Sequence, residues 1–321
     1  MTVRTDSEAL RGKLVVLIGG SGFFGRHVAQ ELLARGARLR IASRNPRRAF
    51  AIKPLGNLGQ VQFTGIDVTK SKHLGLLLEG AHAVVNLAGA FKGNLDALQG
   101  KGAGRIAAVA KAAGATAFVH VSALGADAES PIDYARTKAE GETAVLGAFP
   151  TATILRPSVL FGGDDSFVNL SAGLIATLPA VPVFGPAAQF QPCFVDDAAE
   201  AVAAALVDSA AHGGKTFELV GPETITMGDL NRRIAAAQGR KRWFAELPDA
   251  VSGVIATLTG WLPLAPLTSD QWQLLKAGSI ASGKLPGFKA LGIAPRPLDL
   301  FLDRWMTRYR HHGRFGGTSA A

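Results

Sequence analysis

Tyr134 and Lys138 stand four residues apart in a 321-residue chain that holds only two tyrosines. On a helix that spacing puts both side chains on one face. A phenol beside an ammonium exchanges a proton with a carbonyl or an alcohol more easily near neutral pH, because the positive charge lowers the phenol's pKa. Ser122 is a third candidate. It falls at the end of an apolar strand-like run, where its hydroxyl would face whatever reacts with the tyrosine.

A second group of residues implies what that partner is. Gly19-Gly20-Ser21-Gly22-Phe23-Phe24-Gly25 follows a strand-like run and opens a helix-like one. The first glycine permits a tight turn, Gly22 lets backbone approach a pyrophosphate, and Gly25 lets helix and strand pack closely. The helix N-terminus then points amide donors and a positive dipole end at the phosphates. This predicts a dinucleotide site. An NAD site usually places Asp or Glu at the end of the second strand, whereas this chain has Ser43-Arg44-Asn45. A carboxylate there would repel a 2′-phosphate, and Arg44 can bond one bidentately, so the expected cofactor is NADP(H). Arg47 or Arg48 is a candidate second contact. Asp67-Val68, after the third strand, would flank the adenine, and Asn86-Leu87-Ala88-Gly89, ending the fourth, would pass the ribose. Ser122 and Lys138 then have the nicotinamide and its ribose as further possible partners.

The elements that must position these residues alternate between strand and helix, as in a parallel sheet. Strands are predicted at Lys13–Ile18, Arg38–Ala42, Gln60–Gly65, Ala83–Leu87, Ala117–Ser122, Thr151–Leu155 and Thr216–Val220. Helices are predicted at Arg26–Arg35, Arg105–Ala113, from a Ser130 cap and Pro131 to about Ala148, and at Phe194–Leu206. The fold class is therefore α/β, a Rossmann-type doubly wound parallel sheet with a smaller, mostly helical C-terminal lobe. The expected division is 1–160 for the NADP(H)-binding domain, rejoined by about 190–221, with 161–189 and 222–321 forming the smaller substrate or docking lobe.

Composition narrows the partners. Hydrophobic residues make up 48%, which excludes general disorder. One cysteine, Cys193, excludes an intrachain disulfide and the usual cysteine-pair zinc spacings, and fits a reducing compartment. The formal charge of +9 would suit nucleic acid, an anionic membrane surface or a phosphorylated ligand. Its distribution favours the last two. No acid lies between Leu32 and Ile66, where Arg35, Arg38, Arg40, Arg44, Arg47, Arg48 and Lys53 stand, and no base-stacking aromatics or nucleic-acid motif accompany them. A second basic run, Arg304, Arg308, Arg310, His311, His312 and Arg314, lies near the end. No stretch reads as a signal or transit peptide, and the uncharged Ala250–Ser269 stretch, broken by Pro263 and Pro266, is a poor membrane span. The expected location is cytoplasmic, with peripheral placement on the cytoplasmic face of the inner membrane as an option.

The glycine turn, Asn86-Leu87-Ala88-Gly89, Ser122, Tyr134-x-x-x-Lys138 and Arg156-Pro157 resemble an extended or atypical short-chain dehydrogenase/reductase. Within that superfamily the chain is most similar to the NADPH-binding accessory subunits of respiratory complex I and their bacterial relatives. Phe161-Gly162 with Asp165-Ser166-Phe167, Gln191-Pro192 before Val195-Asp196, Phe217–Pro222, Pro266-Leu267-Thr268 and Leu285-Pro286-Gly287 carry the likeness over nearly the whole length. The resemblance implies tightly held NADPH and a structural role against the membrane-proximal part of a larger assembly, with respiratory subunits as partners. Departures touch the substrate side: Ala123 and Leu124 replace a hydroxyl residue, Gln99 stands for a relay Asn, and Phe161 stands where many epimerases have Tyr. Two functions are therefore expected to compete. One is an accessory or assembly component that holds NADPH. The other is an active NADPH-dependent oxidoreductase or epimerase/dehydratase-like enzyme, with Tyr134 as acid/base, acting on an apolar carbonyl or quinone-type substrate.

Overall fold

Apolar runs bounded by turn residues become the strands of a buried parallel sheet, and the amphipathic runs between them become its covering helices. The computed structural model describes residues 8–70, 72–259, 269–311 and 313. Elements follow in chain order as β1 (Leu14–Ile18), α1 (Phe23–Ala34), β2 (Arg38–Ser43), a 3-10 helix (Pro46–Leu55), β3 (Val61–Gly65), α2 (Leu74–Leu78), β4 (Ala83–Asn86), α3 (Leu95–Gln99), α4 (Lys101–Ala112), β5 (Ala117–Val121), α5 (Asp133–Ala148) and β6 (Thr153–Pro157). Then come β7 (Leu160–Phe161), α6 (Phe167–Thr177), β8 (Ala180–Phe184), β9 (Gln189–Phe190), β10 (Cys193–Phe194), α7 (Val195–Val207), α8 (Ser209–His212) and β11 (Thr216–Leu219). The remainder holds β12 (Ile225–Thr226), α9 (Met227–Ala237), β13 (Trp243–Leu247), α10 (Asp249–Thr259), α11 (Ser269–Ala277) and α12 (Asp299–Met306).

The chain forms two compact units. One contains the chain up to Pro157 with Val195–Leu219 and Ser282–Ala294; the other contains Ser158–Phe194, Val220–Ala281 and Pro295–Ala321. In the first unit a seven-stranded sheet has the order β11-β6-β5-β4-β1-β2-β3, all pairings parallel. This is the doubly wound Rossmann-type sheet that the sequence pattern predicts. Strand order reverses between β1 and β4, the place where open α/β sheets bind ligands beyond their strand ends. On one face Val16, Ile18, Val84, Phe118 and Ile154 pack with Leu74, Leu77, Ile106, Ala110 and Val145 of α2, α4 and α5. Period-2 alternation turns Val15, Leu17, Leu39 and Ile41 to the opposite side, where α1 packs on α7.

Of the element boundaries that differ from the sequence expectation, three helix starts have a local reason. Helix α1 begins at Phe23 rather than Arg26, so Phe23, Phe24 and Gly25 are its first turn. Helix α4 begins at Lys101, four residues before the expected Arg105, although Gly102 and Gly104 lie in it; their missing side chains admit the Ala97 carbonyl and Ala144. Helix α5 begins at Asp133, capped by Ile132 backbone, because the Ser130 hydroxyl accepts from Ile132 N at 3.2 Å in a local turn instead of capping the helix.

The second unit contains α6, α9, α10, α11 and α12 with three two-stranded pieces, β7–β10, β9–β12 and β8–β13. Phe194, Phe301 and Trp305 stack in series, at 4.2 and 4.9 Å between ring centroids, with the Arg296 guanidinium 4.5 Å over Phe194. Two residues of the C-terminal basic run are tied back to this unit. Arg308 donates to Asn169 Oδ1 and the Gly163 carbonyl, and Arg310 Nε donates to the Ala237 carbonyl at 3.0 Å. His312 and Arg314 of that run lie outside the described residues, as do 260–268 of the uncharged stretch and with them Pro266-Leu267-Thr268. Among the described residues no helix is long and apolar enough to cross a membrane.

Candidate functional site

Gly19 sits at φ +81°, a left-handed backbone that L side chains rarely adopt. A Cβ there would also lie 3.1 Å from Leu87 C and O and from Ala88 N. The turn after β1 and the chain leaving β4 therefore touch, which brings the predicted phosphate and ribose contacts to one strand-end crevice. Gly25 makes a second close approach: its Cβ would stand 2.5 Å from Gly20 Cα. Gly22 is the extended N-cap of α1, with no side-chain cap and no acid in the first turn. The unbonded first-turn amides and the positive end of the helix dipole are thus left for an anion.

The far end of the crevice is set by β2 and β3. Ser43 ends β2 with a buried Oγ that has no hydrogen-bond partner, and Arg44 beyond it is exposed. Arg44 is close enough to Asp67 to help hold that carboxyl below its usual range, although hydrogen bonds from Thr69 are the main cause. Asp67 Oδ1 accepts from Thr69 N at 3.0 Å and Thr69 Oγ1 at 2.7 Å, so this carboxylate shapes its own turn. The Val68 carbonyl accepts from Arg105, which ties the same loop to α4.

Asn86 lies differently from the sequence expectation. Its side chain is fully buried and braces the loop: Oδ1 accepts from Ala88 N at 3.1 Å, and Nδ2 lies 3.2 Å from His120 Nδ1. His120 carries no signal in the sequence, because a lone histidine in the run Ala117–Val121 reads as core. Burial, with Lys138 nearby, pushes its pKa down to about 3, so the ring is neutral. Its Nε2 is buried without a partner. Gln99 is the second brace: Oε1 accepts from Ala90 N at 3.1 Å, and Nε2 donates to Thr137 Oγ1 at 2.9 Å.

Helix α5 brings Tyr134 and Lys138 together, with Lys138 Nζ 5.9 Å from the tyrosine ring centroid. Nζ also donates to the Val121 carbonyl at 3.0 Å and would lie 3.2 Å from a Cβ on Gly89. Ser122 follows Val121 directly, and its buried Oγ has no partner. Tyr134, Lys138, Ser122 and Gly89 thus converge. Burial works against the expected lowering of the tyrosine pKa. Burial pushes the phenol up to about 12 and the Lys138 ammonium down to about 8, with Glu142 partly opposing the latter. An amine with that value is in part uncharged and supplies less of the field that would acidify a phenol. Phe91 contributes to the cover, stacked on Tyr134 at 4.4 Å between centroids. Nothing in the sequence around Phe91 marks it, since it lies in an irregular loop.

Lys138 has a consequence for stability. Its folded pKa lies below that of the free side chain, so between about pH 8 and 10 the unfolded chain binds more protons at this site, and stability rises with pH there. Wild-type protein is expected to gain on the order of 1 kcal/mol per pH unit from this group across that window. Lys138→Met should lack the gain. Thermal melts from pH 7.5 to 9.5 measure it, and parallel curves for the two proteins would contradict the buried-amine assignment.

The crevice fits a pyridine dinucleotide on its own geometry: an uncapped helix end, glycines that admit close backbone, and two unpartnered hydroxyls, Ser43 and Ser122, at opposite ends. Comparison with known proteins places it. A family profile described as NAD(P)H-binding matches residues 19–171. The structure of an NADPH-dependent quinone oxidoreductase from Escherichia coli, complexed with NADPH, superposes with a TM-score of 0.72 over 90% of this chain and 99% of that one, at 21% identity. The protein has a Rossmann fold whose residues 19–171 form an NAD(P)H-binding region. NADH dehydrogenase [ubiquinone] 1 alpha subcomplex subunit 9 of Arabidopsis thaliana is 29% identical over 97% of this chain and 82% of its own length, and that of Rattus norvegicus 30% over 94% and 82%. The chain belongs to the family of these subunits.

Proposed function

We propose that the protein holds NADPH as a lasting part of its fold and serves as an accessory or assembly component of a respiratory NADH:quinone oxidoreductase. The observation that carries this reading is the contrast within one crevice. The strand-end turn leads into a helix start with neither a side-chain cap nor an acid, while Tyr134 is stacked against Phe91 and burial pushes its phenol up to about 12. A proton donor so far from neutral pH is poorly matched to turnover. A bound nucleotide still stabilises the folded state by mass action. In this reading Gly19, Gly20, Ser21, Gly22, Phe23, Phe24 and Gly25 receive the pyrophosphate, with Ser43 and Arg44 at the 2′-phosphate. The Asp67-Val68 turn flanks the adenine, the Leu87–Gly89 backbone lines the ribose, and Lys138 and Ser122 face the nicotinamide end. Asn86 acts through the loop it braces. The partners are respiratory complex subunits, and the location is cytoplasmic and peripheral on the inner membrane.

A second reading is supported by the retained Tyr134–Lys138 pair and the unpartnered Ser122 hydroxyl. Here the chain is an NADPH-dependent oxidoreductase or epimerase/dehydratase-like enzyme for an apolar carbonyl or quinone-type substrate. NADPH supplies hydride, Tyr134 gives or takes the proton at the substrate oxygen, and Ser122 bonds that oxygen. Tyr134→Phe is expected to leave cofactor affinity within about twofold, since one ring hydroxyl is removed and the stack on Phe91 stays. A collapse of affinity in a fluorescence titration would make Tyr134 a cofactor contact rather than an acid/base.

The two readings separate in one preparation. The tagged chain is purified from gently solubilised membranes, and its co-purifying proteins and nucleotide content are measured together. Respiratory subunits with stoichiometric NADPH that survives washing support the accessory role. Free chain that oxidises NADPH with an added quinone supports the enzyme.

A further inference from the structure

We propose that the outer side of the 3-10 helix Pro46–Leu55 and the turn after it is a docking surface for an anionic lipid bilayer. The inference names the surface that peripheral placement requires, and it rests on that placement.

A 3-10 helix has three residues per turn, so side chains three apart share a row. Ala49 and Ile52 form the inner row and are buried at 0% and 1% exposure. The next residue on the row, Leu55, runs past the covered side and is 53% exposed. Arg47, Arg48 and Lys53, on the other rows, are all exposed. Phe50 touches Phe63 edge-on at 5.1 Å yet keeps half its surface outside, and Leu58 on the following turn is fully exposed at 107%.

Three apolar side chains thus project among three cations, and no acid lies anywhere from Leu32 to Ile66 to pair with them. The turn that carries Leu58 is pinned. Asn57 N donates to Gln60 Oε1 at 2.8 Å, and Gln60 Nε2 donates to the Ala37 carbonyl at 2.8 Å. An acidic protein surface would engage the cations and leave the protruding Leu55, Leu58 and Phe50 unexplained. The headgroup boundary of an anionic bilayer satisfies both sets: phosphates meet the cations while the apolar tips enter the acyl edge.

The test is cosedimentation of the full chain with phosphatidylcholine vesicles, plain or carrying about a third phosphatidylglycerol, at low and high salt. Wild type should pellet with the anionic vesicles only, and salt should release it. Leu55→Ser with Leu58→Ser, two exposed positions, should keep the melting temperature and lose roughly tenfold in vesicle partitioning. Arg48→Gln with Lys53→Gln should lose about thirtyfold. If both double variants partition like wild type, this surface is wrong while peripheral placement stands. If wild type fails to pellet at low salt, the placement falls with it. If only the Arg48/Lys53 variant loses binding, the cations alone hold the headgroups, and the insertion of Phe50, Leu55 and Leu58 into the acyl edge is overturned.

Discussion

Arg44→Glu is expected to remove the preference for NADPH over NADH. Arg44 is exposed directly beyond β2, beside the buried and unpartnered Ser43 hydroxyl, and no side chain there competes for the cofactor's ribose as an NAD-type carboxylate would. A guanidinium bonding a phosphate contributes on the order of 2–3 kcal/mol. Reversing the charge replaces that attraction with repulsion of the 2′-phosphate, while NADH regains an acceptor for its ribose hydroxyls. The ratio of the two dissociation constants should therefore move by about a hundredfold or more. Titration of both nucleotides against both proteins reads it directly, and an unchanged ratio would remove Arg44 from the site.

The second large effect separates two glycines of the same turn. Gly25→Ala places a Cβ 2.5 Å from Gly20 Cα and 2.7 Å from Gly20 C and O, all backbone atoms that no rotamer change can move. Helix α1 must shift away from the turn, at a cost of about 3 kcal/mol. The melting temperature should fall by roughly 10 °C, and nucleotide binding should be lost with the turn geometry. Gly22→Ala is different. Its Cβ would meet only the Gly19 carbonyl, at 3.5 Å, an ordinary contact, and its φ of −74° suits alanine. That variant should melt like wild type without nucleotide, yet bind NADPH at least tenfold more weakly, because the added methyl occupies the space a pyrophosphate needs. Equal behaviour of the two variants would mean that the turn is purely structural.

The sheet was legible because its strands are short apolar or alternating runs followed by turns, and the order of chemistry along those strand ends follows from the parallel topology. Helix starts were less legible. Gly102 and Gly104 read as breakers, yet they lie in α4 where Ala97 and Ala144 approach. Ser130 has the type of a cap but spends its hydroxyl on a turn. The two-residue strands β7, β9, β10 and β12 are too short for any period to register. Within the site, residue type picks out Tyr134 and Lys138 and the charge between them, whereas the burial that pushes the phenol up is set by packing that no local pattern reports. Asn86 was assigned to the ribose from its place in the chain; the His120 ring that engages it lies on the neighbouring strand, at a distance no local pattern reports.

The last strand of the sheet carries a consequence for biosynthesis. β11 pairs with β6 only after the chain has passed through Ser158–Phe194 of the other unit, and α7, which covers α1 and joins it through His27 Nδ1 and Asp196 Oδ1 at 2.5 Å, arrives from the same late segment. A polypeptide emerging from the ribosome therefore has every residue of the nucleotide cradle when Pro157 appears, but neither the last strand of the sheet nor the helix that covers α1. Until Leu219 has followed, the edge of β6 and the outer face of α1 stay uncovered, open to chaperones and to strand-pairing with other nascent chains.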